Sequence, residues 1–252
     1  MAGEAKYASI GGGKLYIKPI INGVPQIGEE YFGVTSDVNI KTSVEYKERE
    51  NTEASEISID VKVATKKTVG ISFTTSEISP AVLARAFKAE LTTVTQASGT
   101  VTSQSLTIGA KGLSYSVSKK MISSLIVKDD ADAVIYALGV DYVVDAKRGS
   151  ITILENGSIT DDETLHLSFS YAEISYSNLE AMMSSSLEAT LIFKSEPLNG
   201  ETYDYTFHKV SLNQSGDFAL KGSDFTTLTF EGDVLKDSTQ LSGSEFFKIE
   251  KI

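Results

Sequence analysis

Cysteine and tryptophan are absent from this sequence, histidine occurs twice and proline four times in 252 residues. Without cysteine there is no disulfide framework, no thiolate metal site and no thiol nucleophile. Without tryptophan the largest aromatic face for packing on a sugar ring is missing. No hydrophobic run is long enough to span a bilayer, so no membrane partner is expected. The opening "MAGEAKYASIGGGK" lacks the apolar core of an export signal, which predicts synthesis in a cytoplasm without a cleaved leader. Positive charge is also scarce: 23 Lys and Arg stand against 34 Asp and Glu, for a net −11. Proteins grip a duplex by displacing counterions with Lys and Arg, and no broad basic surface of that kind is available here. The chain should repel DNA on average. The same acidity also serves solubility.

What the sequence does contain is strand patterning. Hydrophobic residues make up 41% of it, enough for a packed core. In "ISIDVKV" Ile57, Ile59, Val61 and Val63 alternate with Ser58, Asp60 and Lys62, which predicts a strand with one buried and one wet face. The rhythm recurs in "YVVDAKRGSITIL" around a turn at 146–149, in "LHLSFSY", in "YDYTFHKV" and in "LTFEGDV". Asn156-Gly157 and Asn199-Gly200 are tight-turn candidates. One helix is predicted, running to Leu91, with Ser79 as N-cap and Pro80 at its first position, where a missing N–H is harmless. Leu83, Phe87 and Leu91 then form a stripe at four-residue spacing. A weaker helical pattern covers 177–185. The Ser/Thr-rich stretch 92–105 reads as a boundary or loop. It separates flanks 1–94 and 174–252, two halves of one sheet system, from a small β-rich insertion at 95–173. Insertions of this kind survive because lengthening an exposed loop costs little closure entropy.

No catalytic constellation emerges. Gly11-Gly12-Gly13-Lys14 follows no strand and opens no helix, so it is not a phosphate loop; a hinge between an N-terminal arm and the first strand is expected instead. His166 and His208 fall on the polar sides of alternating strands, and no G-x-S-x-G elbow accompanies them. Asp129, Asp130 and Asp132, and again Asp161, Asp162 and Glu163, lack the spacing and central glycine of a calcium loop, and are expected to be solvated turns. Neither catalysis, nor a metal, nor a cofactor is expected.

The charged stretch "SVEYKERENTEASE", 43–56, is longer than any hairpin turn needs. It lies between the strands read at 34–44 and 57–63. Two readings stand for it: a solvated loop, or an arm reaching a neighbouring copy, with mixed charge setting register.

Taken in order, the pieces resemble the tail tube (major tail) proteins of long-tailed bacteriophages. The likeness rests on "GGGKLYIKPIINGVPQIGEEYFGVTSDVNI", then the long charged hairpin, then "DVKVATKKTVGISFTTSEISPAVLARAF" with its Lys-rich turn and single helix. It continues through "GVDYVVDAKRGSITILENGSITDDETLHLSFSY", a module often inserted in such proteins, to "KGSDFTTLTFEGDVLKD". The resemblance implies a mainly β protomer, a sandwich or barrel with one main helix and an inserted small β domain. Such protomers close into rings, commonly hexameric, that stack into a hollow tube through which DNA passes to the host. The hairpin (Tyr46, Lys47, Glu48, Arg49, Glu50, Asn51 and Glu53) would cross to the adjacent ring, and the N-terminal arm would help lock the stack. The helix would pack outside the sheet and the inserted domain would decorate the exterior. Partners would be copies of itself, other tail proteins and passing DNA held without specific binding, in the virion tail. Asp60, Glu188, Asp204 and Glu231 are candidates for a lumen lining that offers phosphates no cation. The alternative is a β-sandwich adhesion module that recognises carbohydrate or protein through the inserted domain.

Overall fold

The computed structural model describes residues 11–51, 58–240 and 242–252. It divides into two compact units, the chain up to Leu91 together with the chain from Leu179 onward, and Thr92–Asn178. These boundaries fall near, but not at, the 94/95 and 173/174 junctions expected from composition. The elements begin with β1 (Gly13–Ile21), β2 (Val24–Pro25), β3 (Glu30–Tyr31), β4 (Thr35–Asn51), β5 (Ser58–Thr75), α1 (Pro80–Ala86) and β6 (Glu90–Gln96). Next come β7 (Gly99–Thr107), β8 (Ser114–Ser116), β9 (Ile122–Asp129), β10 (Ile135–Tyr136), β11 (Tyr142–Asp145), β12 (Ser150–Ile153) and β13 (Thr164–Tyr171). The chain closes with β14 (Ile174–Glu180), β15 (Leu187–Ser195), β16 (Tyr203–Ser215), β17 (Leu228–Val234) and β18 (Phe247–Lys251). The fold is mainly β.

The first unit is built on a sheet in the order β2-β1-β15-β16-β17-β5-β4, with β3 also on β1 and β18 also on β16. Neighbouring strands are antiparallel. Alternation puts Leu15 and Ile17, Ile71 and Phe73, Val210 and Leu212, and Phe230 on one buried face. At its centre the rings of Phe32, Phe73 and Phe230 lie 4.8–5.3 Å apart, two contacts edge-on and one stacked.

α1 covers part of this core with Val82 and Ala86. Ser79 Oγ accepts the Val82 N–H at 3.2 Å, the cap expected from the sequence. The helix ends at Ala86, short of Leu91. Lys88 takes a left-handed backbone (φ 49), and Ala89 N–H reaches Ala84 O at 2.7 Å while Lys88 N–H turns back to Arg85 O. That is a Schellman stop made with lysine rather than glycine. Residues 90–96 then form β6, which pairs with β14 in a two-stranded sheet. This pairing overrides local propensity at both ends. Leu91 leaves the helical stripe and is exposed, and residues 177–180 of the second helical pattern lie in the strand β14. The polar stretch 92–105 is likewise strand, in β6 and β7, rather than loop.

The second unit has its own core. A sheet in the order β10-β9-β13-β7 and another in the order β11-β12-β8 share a buried cluster that includes Val127, Ile151, Ile153, Leu165, Leu167 and Phe169. The expected turn at 146–149 joins β11 to β12, and Asp145 there accepts from the Arg148 backbone and side chain. Gly149 has φ 69, and a Cβ on it would fall 1.8 Å from Lys119 O, so only glycine fits. Asn156-Gly157 turns the chain as well, but between β12 and β13 of different sheets rather than within a hairpin.

Asp141 of "GVDY" is buried and holds the connecting loops. Its two carboxylate oxygens accept Ala137 N–H and Ser158 N–H, each at 2.7 Å, and its carbonyl accepts Leu154 N–H. Those backbone donors, first Ser158 and then Ala137, hold its pKa below the ordinary carboxylate value. A depressed folded-state pKa means the stabilisation is complete above the unfolded value and is lost as pH falls through the folded one. Asp141→Ala is expected to destabilise this unit at neutral pH by about 2–3 kcal/mol, because two backbone N–H groups lose the buried anionic acceptor that ties their loops together. The gap between mutant and parent should shrink as pH drops below the carboxylate range, and acid denaturation followed by circular dichroism checks both points.

Candidate functional site

β4 and β5 are the longest strands, and their ladder runs from Thr35 opposite Thr75 out to Asn51 opposite Ser58. Only Gly70–Thr75 of β5 also pair with β17. Beyond them the two strands continue alone as an arm, roughly 33 Å long for the ten residues from Thr42 to Asn51. Residues 43–51 of the charged stretch are therefore strand rather than loop. Glu53 and Ile57 lie outside the described residues.

Two irregularities shape the arm. Arg49 faces Val61 while Glu50 faces Ile59, so Asp60 is an extra residue; Thr65 is another, between Lys66 opposite Glu45 and Ala64 opposite Tyr46. Each bulge reverses the alternation beyond it. Ile59 therefore shares a face with Tyr46, Glu48 and Lys62, while Val61 and Val63 share the other with Lys47 and Arg49. The single apolar face expected of 57–63 is split between the two sides. Among the described residues neither half is fully covered: Val44, Tyr46, Ile59, Val61 and Val63 are 40–55% exposed.

The charges of the arm are largely consumed within it. Arg49 grips Asp60 through two nitrogens, at 2.5 and 3.0 Å, Lys62 meets Glu48 at 2.6 Å and Lys66 meets Glu45 at 3.4 Å. The Arg49 guanidinium holds the Asp60 carboxyl below its usual value, and Glu48 raises Lys62. Lys62 also lies over the Tyr46 ring at 4.7 Å. Of the charges expected to set register against a neighbour, Glu48 and Arg49 brace the two strands within the chain, and exposed apolar side chains stand beside them. Sequence reasoning named the charged residues for contact, read Ile59, Val61 and Val63 as a strand's buried face and left Val44 aside. The signal for them was alternation continuing through a region too polar to be core.

Beyond the arm, β4 is also the sheet's outer strand and pairs with β5 alone among the described residues. Among the described residues its other edge has no strand partner, so N–H and C=O groups stand open along it. The opposite border is different: β2 and β3 cap parts of β1.

Over residues 8–250 the sequence matches the family described as protein of unknown function UCP028589. The chain belongs to that family. No curated protein matches it. The UCP028589 match spans both compact units and the arm, so the second unit falls within the family's span rather than outside it.

In this UCP028589 chain the glycines at the start of β1 are not a free joint. Gly13 pairs with Ser195, and Gly12 O accepts Glu196 N–H at 2.8 Å. A Cβ on Gly12 would lie 2.6 Å from Glu196 O. Close backbone approach to β15 and its following turn requires these glycines, while Gly11 has nothing near its Cβ position. Lys14 is bound to Glu196 at 3.1 Å.

The four candidate lumen acids do not form one group. Glu188, Asp204 and Glu231 share the wet face of the sheet, opposite the core, whereas Asp60 is on the arm. That face is not free of cations. Lys209 pairs with Glu188 at 3.0 Å, Lys194 stands across from Asp204, and Lys14, Lys18 and Lys41 share the surface. The expected lining without cations is corrected accordingly: the net negative charge of the chain is not concentrated here. His166 stands beside Asp132 and Asp130 in the second unit, and His208 is in the first. Among the described residues no cluster of His, Asp and Glu is placed to hold a metal ion.

Proposed function

We propose that this chain is a structural subunit that assembles with copies of itself into stacked rings, forming the hollow tail tube through which a long-tailed bacteriophage passes its DNA. The observation that carries this reading is the arm. A two-stranded hairpin is marginal in water on its own, and this one extends far past the sheet with its apolar side chains bare. Such a hairpin gains stability when another surface buries it. The open edge of β4 supports the same reading, because a ring that joins sheets consumes edges that would otherwise aggregate. Lateral closure gives rings, and repeated axial contact gives a tube. The ion-paired wet face suits a channel wall, because cations already held by carboxylates, such as Lys209 by Glu188 and Lys194 by Glu29, grip passing phosphates weakly. The role is mechanical, without catalysis or cofactor; its partners are its own copies, other tail proteins and transiting DNA, and its place is the virion tail after assembly in the host cytoplasm. Negative-stain electron microscopy of the purified chain, alone or seeded with tail initiators, is expected to show rings or tubes with a central channel. Persistent monomers under seeding would overturn the reading.

A further inference from the structure

On the first unit, α1 and the end of β1 border a trough of about 660 Å³. Its floor exists because α1 turns Ala81 and Ala84 toward it, and alanine leaves a gap where a longer side chain would fill. Ile21 and Leu91, both largely exposed, and Leu187 form its apolar walls. Three charges line it: Arg85, Lys88 and Glu188. Arg85 is engaged by Glu30 and Glu188 by Lys209. Lys88 has only a neutral partner, the Ser185 carbonyl at 3.0 Å, and no carboxylate pairs with it among the described residues.

The arm offers the complement. Its face bearing Tyr46 and Ile59 carries Glu48, Glu50 and Lys62 toward the tip, with Lys67 on the same face nearer the sheet, opposite Val44; the trough carries two bases and one acid. Glu48 is held by Lys62, which leaves Glu50 as the acid with no ionic partner among the described residues.

Resting on the assembly reading above, we propose that this trough is the receptor for the arm of a second copy. Ile59 and Tyr46 enter between α1 and β1, and Glu50 meets Lys88. Donor and receptor are different surfaces of one chain, so the contact is heterologous and repeats from copy to copy, as an axial stack requires.

The absence of cysteine makes the test clean. A double variant, Ile59→Cys with Ala84→Cys, is assembled, mildly oxidised and run on a non-reducing gel. A disulfide needs Cα atoms within about 7 Å, so docking predicts a ladder of linked copies that collapses on reduction. Either single variant gives dimers at most. Particles that assemble but give no ladder overturn the trough and leave the tube reading intact; an unsubstituted chain that never assembles overturns the tube reading itself. The charge pair decides independently of cysteine placement. Glu50→Lys or Lys88→Glu alone is expected to raise the concentration needed for assembly about tenfold, and the two together to restore it. Single variants that assemble like the parent overturn the pairing.

Discussion

Excising residues 46–65 and closing Glu45 to Lys66 through an Asn-Gly turn is expected to yield a folded chain that no longer stacks. Glu45 and Lys66 are directly opposed, so a two-residue turn can join them without distorting the ladder. None of the removed side chains belongs to the buried cluster of the first unit, whose closest member along β5 is Val69. The thermal midpoint should therefore move by no more than about 4 °C, the equivalent of roughly 1 kcal/mol. Assembly should disappear, since the excision removes the strands whose apolar side chains lack cover in the single chain. Circular dichroism reports the first outcome, light scattering and electron microscopy the second. Stacks of normal length after the excision would show that the arm is dispensable.

Phe230→Ala should have the largest effect on stability. Its ring is fully buried, 5.2 Å from Phe32 and 5.3 Å from Phe73, so truncation leaves a cavity walled by two aromatic rings that cannot close over it. Such replacements cost about 3–5 kcal/mol, a large share of the 5–15 kcal/mol that holds a domain together. The loss should fall on the first unit alone, because the buried cluster of the second contains none of these residues. Calorimetry is expected to resolve an early transition for the first unit while the second melts at its parental temperature. Phe230→Leu, which keeps most of the volume, should recover more than half of the loss. A cost below 1 kcal/mol for Phe230→Ala would mean that the aromatic cluster is not the centre of the fold.

The single helix start was legible because it depends on neighbours in sequence: a serine hydroxyl, a proline and the first turn's free N–H groups. Its end was not. Leu91 extends the helical spacing perfectly well, and only the commitment of 90–96 to β14, some eighty residues away, withdraws it. The same pairing took residues 177–180 of the second helical pattern into a strand. In the second unit "LHLSFSY" was readable throughout, since Leu165, Leu167 and Phe169 alternate without interruption on the buried side.

The arm divides along the same line. Its charge and length marked 43–56 as exceptional, but a local reading could not see that Glu45, Glu48 and Asp60 each find a cation on the opposite strand. Nor could it place the bulges at Asp60 and Thr65, which are defined by register between two strands rather than by either alone. Likewise, nothing in "GGGK" says that Gly12 must lie against the carbonyl of Glu196.

Taken alone, the amino-acid order determined the β class, the position of the helix start, the lack of thiol chemistry and the overall acidity, because these depend on composition and on contacts within a few residues. Tertiary structure alone decided where strands end, which side chains of the arm are bare and which acids are already neutralised. Those outcomes come from hydrogen-bond ladders and ion pairs between segments far apart in the chain, whose partners no local pattern names.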